Sequence, residues 1–176
     1  MAQFALFFAS IFSIVNPFAA IPVYLGVTAD VPVAVRRGIP RRTAVAAATI
    51  MLVAYAAGES LLAFFSISIA SLRVAGGILI FAMAWSMLQA KLSPQKQTEE
   101  EAEEATHRDS LAIVPLAMPL LSGPGAISVM ILWATQSQSG AEHAAAIGAV
   151  LAVAISIWIT LSLATPISNL LGQTGM

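Results

Sequence analysis

FALFFASIFSIVNPFAAIPVYL, Phe4 to Leu25, contains no charged side chain and is long enough to cross a hydrocarbon layer of about 30 Å. Its middle holds Asn16, Pro17 and Pro22. Proline lacks the backbone donor of a helix and clashes with the preceding turn, so a helix through this stretch must break near Asn16. In lipid, carbonyls freed by such a break are tolerated only where protein or a water-filled cavity covers them. The stretch therefore predicts a membrane helix that is interrupted and covered by other helices. It lacks the positive leading region and small-residue cleavage site of a secretory signal, so it reads as a retained first helix.

Four more apolar segments follow, Ala44 to Phe65, Leu72 to Ala90, Leu111 to Thr135 and Ala144 to Thr165. Of the 176 residues 59% are hydrophobic and only 10% charged, against about 25% charged in soluble domains. A lipid bilayer is thus the expected surrounding of an all-α polytopic bundle. The charges are segregated. Arg36, Arg37, Arg41 and Arg42 fall in a loop from Thr28 to Arg42, and Lys91, Lys96 and Arg108 fall with an acidic run in the segment Lys91 to Asp109. Positive residues in short loops mark the cytoplasmic side, so both loops are expected inside, with the amino terminus, the turn Ser66 to Ser71 and the loop near Gly140 outside. The acidic run reads as a solvated linker held extended by its own repulsion. The expected organisation is residues 1–90 as a first three-helix unit, 91–110 as the linker and 111–176 as a second unit. No basic stripe points to nucleic acid. The absence of cysteine excludes disulfides, thiolate metal sites and a cysteine nucleophile.

A second interruption lies in PLAMPLLSGPGAI, Pro115 to Ile127, where Gly123, Pro124 and Gly125 disfavour a continuous helix. Prolines and glycines of this kind also kink helices and allow close packing with no further role. The two motifs, however, correspond: NPFAAIPV at Asn16 and GPGAISV at Gly123 are weakly similar, and each opens its half of the chain. Span one runs inward and span four outward, so the halves form an inverted repeat. Interrupted helices at matching places of inverted halves point to a midplane site in a secondary transporter. The candidate substrate site is therefore Asn16, Pro17, Phe18 and Ala19 with Ser122, Gly123, Pro124 and Gly125. Asn16 is the best side-chain contact, because its amide both donates and accepts.

Glu59 and Arg73 are the charges within or at the edge of a span. They are candidates for ion coupling or for a simple ion pair near the external turn. Gly76 and Gly77 read first as close-packing positions. His107 and His143 fall in opposite loops and cannot share a metal. Isolated Ser and Thr in the spans are expected to bond backbone carbonyls. No Ser, His and acid set converges as a hydrolase needs, so neither an enzyme, a metal nor a cofactor is expected.

NPFAAIPVYLGVT, the FSIS and RVAGGILIFAMAWSML stretch from Phe65 to Leu88, and PLAMPLLSGPGAI together resemble the MarC family of membrane proteins, which includes small neutral amino acid transporters of the SnatA type. The resemblance implies six helices in two inverted three-helix repeats, with Asn16, Pro17, Gly123, Pro124 and Gly125 at the broken helices. Two departures stand out. This chain has Ser66 where the family usually has glycine, and where the family continues into a sixth helix the sequence stops at Met176, so the second unit is expected either to be truncated before its third helix or to lack it. The expected function is secondary transport of a small polar solute, an amino acid by resemblance, across the inner membrane. A channel or a non-transporting scaffold is the alternative.

Overall fold

The computed structural model describes residues 2–29, 31–88, 117 and 121–171. The acidic linker and most of the first half of span four lie outside these residues. Span one is α1, Ala2–Val15, a 3-10 turn, Pro17–Ala19, and α2, Ala20–Val27. A short helix, α3, Val33–Arg36, leads into α4, Ile39–Phe64, and then α5, Ile69–Leu88. The last two helices are α6, Pro124–Gln136, and α7, Gly140–Leu171. Among the described residues the structure is all-helical, and Gln3–Val27, Val33–Phe64 and Gly140–Pro166 are long and apolar enough to cross a membrane.

The apolar outer surface identifies the solvent. Ala20, Ala47, Ala146 and Ala149 are fully buried, as are Ala126 and Ala164 nearly so, while Leu6, Phe64, Phe81, Leu151 and Trp158 face outward. Large side chains such as Ile11, Met51 and Ile157 are buried as well, but alanines at the helix contacts beneath a large apolar outer surface suit lipid, where helices associate by close fit. Gly58 on α4 shows how close that fit is, because a methyl group there would overlap the side chain of Ile131 on α6.

Side-chain contacts fix the helix directions. Gln3 Nε2 donates to Glu142 Oε1 at 2.7 Å, and Tyr24 shares a pocket with Ser162 and Thr165, so α1 and α2 run alongside α7 in the same sense. Tyr55 Oη lies 2.7 Å from His143 Nδ1 and Arg41 shares a groove with Trp158, which sets α4 antiparallel to α7. The Phe7 and Trp133 rings pack edge to face at 4.1 Å, and Gln136 at the end of α6 lines a pocket with Gln3 at the start of α1, so α6 is antiparallel to α1. Gly76 lies against Ser128, and because short turns place the start of α5 and the end of α6 at the same end of the bundle, the two helices are antiparallel. One end of the bundle therefore carries the start of α1 and the turns before α5 and α7. The other carries the 28–38 connection, the end of α5 and the end of α7.

Three boundaries differ from the sequence reading. Helix α4 starts at Ile39, so Arg41 and Arg42 stand in its first turns and not in a loop; Pro40 near its start needs no intrahelical donor. Helix α5 starts at Ile69, which shortens the turn to Phe65–Ser68. His143 lies in the first turn of α7, not in a loop. That turn is built by a capping box: Ser139 Oγ accepts from the Glu142 N–H at 3.2 Å, and Glu142 Oε2 accepts from the N–H groups of Ser139 at 3.1 Å and Gln138 at 2.7 Å.

The turn after α4 closes in a left-handed residue. Ile67 N–H bonds to Leu62 C=O at 2.9 Å and Ser66 N–H to Ala63 C=O at 3.0 Å, the two bonds of a Schellman ending. Ser66 holds φ at 56°, a region where a side chain costs energy and glycine does not.

Candidate functional site

Span one breaks at Asn16. Its N–H still bonds to the Phe12 carbonyl at 2.9 Å, but its backbone turns left-handed, φ 41° and ψ 73°, and the chain continues as the tight turn Pro17–Ala19. Asparagine is among the few non-glycine residues that occupy this region readily, and Pro17 is pre-set for the first position of the new turn. Ala19 N–H then bonds to the Asn16 carbonyl at 3.0 Å. The side-chain amide of Asn16 caps nothing.

Span four breaks at Gly123. Ala117 and Leu121 are π-helical, and Ser122 N–H reaches the Ala117 carbonyl at 2.8 Å, a five-residue step typical of a helix bulge. Gly123 is extended, and α6 starts at Pro124. Ser122 is fully buried. Its hydroxyl donates to the Ala47 carbonyl of α4 at 3.2 Å, which ties the break to a neighbouring helix.

The two breaks share a depth. Fourteen residues of α1 and thirteen of α6 separate them from the same end of the bundle, about 21 Å and 20 Å at 1.5 Å per residue. The segments lie side by side through Phe7 and Trp133, in opposite senses. Thus the carbonyl end of α1, the partly negative one, and the amide end of α6, the partly positive one, finish at one level.

The individual residues are placed as follows. Pro17, Ser122, Gly123 and Gly125 are buried, Asn16 and Ala19 half-buried, and Phe18 and Pro124 exposed. Phe18 turns its ring toward Phe12, 6.0 Å away, across the break. The 3-10 turn packs mainly on α2 and α7, whereas α6 packs on α4, α5 and α1. The structure thus joins Ser122 to Ala47 directly and brings the two groups to one level, each on its own neighbours. Glu59 and Arg73 are both exposed. Arg73 lines a groove with Gly76 and Ser128. Gly76 is close-packed while Gly77 faces open space. Thr28, Thr49, Thr135 and Ser156 bond carbonyls of their own helices. No group of three metal-ligating side chains occurs among the described residues.

One residue escaped the sequence reading. Thr43 is fully buried one turn before Ala47 on α4, and its hydroxyl has no hydrogen-bond partner. A helical threonine normally bonds a carbonyl of the preceding turn, so nothing in the sequence marked this one.

Apolar spans, small residues at the helix contacts and two helices broken at one depth define a polytopic α-helical membrane protein. The chain belongs to the MarC family: the description "MarC family integral membrane protein" matches residues 1–176. It is 36% identical over 170 residues to the UPF0056 membrane protein YhcE of Escherichia coli K12, covering 97% of this chain and 79% of that one. A UPF0056 membrane protein of Pyrococcus abyssi is 32% identical over 176 residues, covering 100% and 84%. Another of Methanocaldococcus jannaschii is 35% identical over 177 residues, covering 100% and 85%. No solved structure matches.

Proposed function

We propose that the protein is a secondary transporter of small neutral amino acids, of the SnatA type, working by alternating exposure of a site between the two breaks. The observation that carries the reading is the antiparallel pair α1 and α6, packed together at Phe7 and Trp133 and each broken at about the same depth. An α-amino acid presents a carboxylate and an ammonium group a few ångströms apart. The free N–H groups and positive end of α6 suit the first, and the carbonyls released near Asn16 suit the second. Such an arrangement follows from two halves related by inversion, each contributing one broken helix. Asn16, Ala19, Ser122, Gly123 and Gly125 line the site in this reading, and the unpaired hydroxyl of Thr43 joins them. Glu59 and Arg73, exposed toward one end of the bundle, are left as candidates for coupling.

Neutrality of the substrate follows from the lining. None of the assigned residues is ionisable, so a charged side chain on the solute would enter a desolvated site without a partner. Counterflow of radiolabelled alanine, glycine or serine in proteoliposomes tests the proposal. Saturable exchange that unlabelled neutral amino acids inhibit, and lysine or glutamate does not, is the expected result. Non-saturable flux would instead identify a channel, and no flux with any solute a scaffold.

A further inference from the structure

At the end of the bundle opposite the amino terminus, a pocket of about 310 Å³ opens between α2, α3, the start of α4 and the last turns of α7. Its walls carry Tyr24, Arg36, Arg37, Ser162, Thr165 and Pro166, and none of the described residues that line it is acidic. Arg36 is held in place by its stack over the Tyr24 ring, 5.9 Å from guanidinium carbon to ring centre. Its Nε is buried and has no hydrogen-bond partner. A buried guanidinium N–H left unpaired is costly, and the cost is removed when an acceptor enters the pocket. Arg37 supplies a second guanidinium, and the hydroxyls of Ser162 and Thr165 supply neutral donors.

From this arrangement we infer that the pocket binds a phosphate group. A guanidinium fork matches two phosphate oxygens at once, and two forks with two hydroxyls provide the donors that a singly charged phosphate accepts. The position favours the same ligand. Tyr24 lies near the end of the span Gln3–Val27 and Thr165 near the end of Gly140–Pro166, which sets the pocket at the level where lipid headgroups meet water. The phosphate is carried either by an anionic phospholipid or by a soluble phosphate ester. The pocket is separate from the breaks, so it stands whether or not the transport reading holds.

Thermal unfolding of the detergent-purified protein distinguishes these sources. It is followed with added phosphatidylglycerol, with phosphatidylcholine, with inorganic phosphate, and with chloride at matched ionic strength. The expected result is a rise in midpoint with phosphatidylglycerol beyond that with phosphatidylcholine for a lipid ligand, or with inorganic phosphate beyond chloride for a soluble one. Either rise should shrink with Arg37→Gln, which leaves the Tyr24 stack intact, and with Arg36→Gln; the apparent affinity should fall roughly tenfold or more. Arg41→Gln, which removes the same charge from the neighbouring groove, should leave it unchanged. No rise with any phosphate-bearing ligand, or an equal loss in Arg37→Gln and Arg41→Gln, overturns the inference, the second by showing only diffuse attraction to positive charge.

Discussion

The Ser122 hydroxyl reaches the backbone carbonyl of Ala47 at 3.2 Å, linking the unwound turn of span four to the middle of α4. The bond holds an irregular stretch against a regular one inside a fully buried contact. Ser122→Ala should lower stability by about 0.5–1.5 kcal/mol, the usual net worth of such a bond, and leave the bundle folded. Detergent-based thermal unfolding would show this as a modest fall in midpoint. An unchanged midpoint would mean that the bond does not hold the break.

Thr43 offers the opposite prediction. Its hydroxyl is buried and unpaired, so Thr43→Val removes an unsatisfied polar group at nearly constant volume. Stability should rise by about 1 kcal/mol or more, while alanine exchange in proteoliposomes falls. A variant that is more stable and transports normally would remove Thr43 from the proposed site.

Two roles of Asn16 separate cleanly. Its backbone is left-handed, a conformation that glycine adopts freely and alanine resists. Asn16→Gly should therefore keep the fold yet weaken substrate affinity by about tenfold to a hundredfold, the cost of losing a hydrogen-bonding amide in a desolvated site. Asn16→Ala should show the same loss together with reduced stability. Wild-type affinity in Asn16→Gly would confine the residue to a backbone role.

Ser66 occupies the left-handed position of the Schellman ending after α4. Ser66→Gly should stabilise the protein by about 1 kcal/mol, since the left-handed conformation costs a side chain roughly that much. Ser66→Val should do the reverse. Equal midpoints for all three would show that the turn carries no strain.

Orientation is open to chemical labelling. Gly140 has open space around its α-carbon, so a cysteine fits there without strain. Gly140→Cys should react with an impermeant thiol reagent added to intact cells, and Gln97→Cys should react only after permeabilisation. The reverse pattern would turn the proposed topology over.

Both breaks were legible in the sequence, because proline acts through its own ring and missing donor, whatever surrounds it. Three of the five expected spans, now Gln3–Val27, Val33–Phe64 and Gly140–Pro166, were legible for a similar reason, since lipid demands a long apolar run. Contacts that depend on distant residues were not. Nothing local to Gly58 announces Ile131 above it, and nothing local to Arg36 brings Tyr24, Ser162 and Pro166 around its guanidinium. The start of α4 was misplaced because its first turns carry Arg41 and Arg42, whose long stems let a helix begin at the membrane surface with its charges in water. Ser66 departs from the family's glycine in sequence alone. Its consequence needed the backbone angle.

The buried alanines and outward-facing Phe, Leu and Trp side chains have a thermodynamic consequence. When the helices of a soluble bundle separate, apolar area meets water, and the heat capacity rises in proportion. Here separation within the bilayer exchanges helix contacts for acyl chains, which hydrate nothing. The heat-capacity change of that step stays small, so the free energy of helix association varies almost linearly with temperature. A bilayer-embedded sample should then lack the turnover to cold-induced dissociation that water imposes on soluble cores.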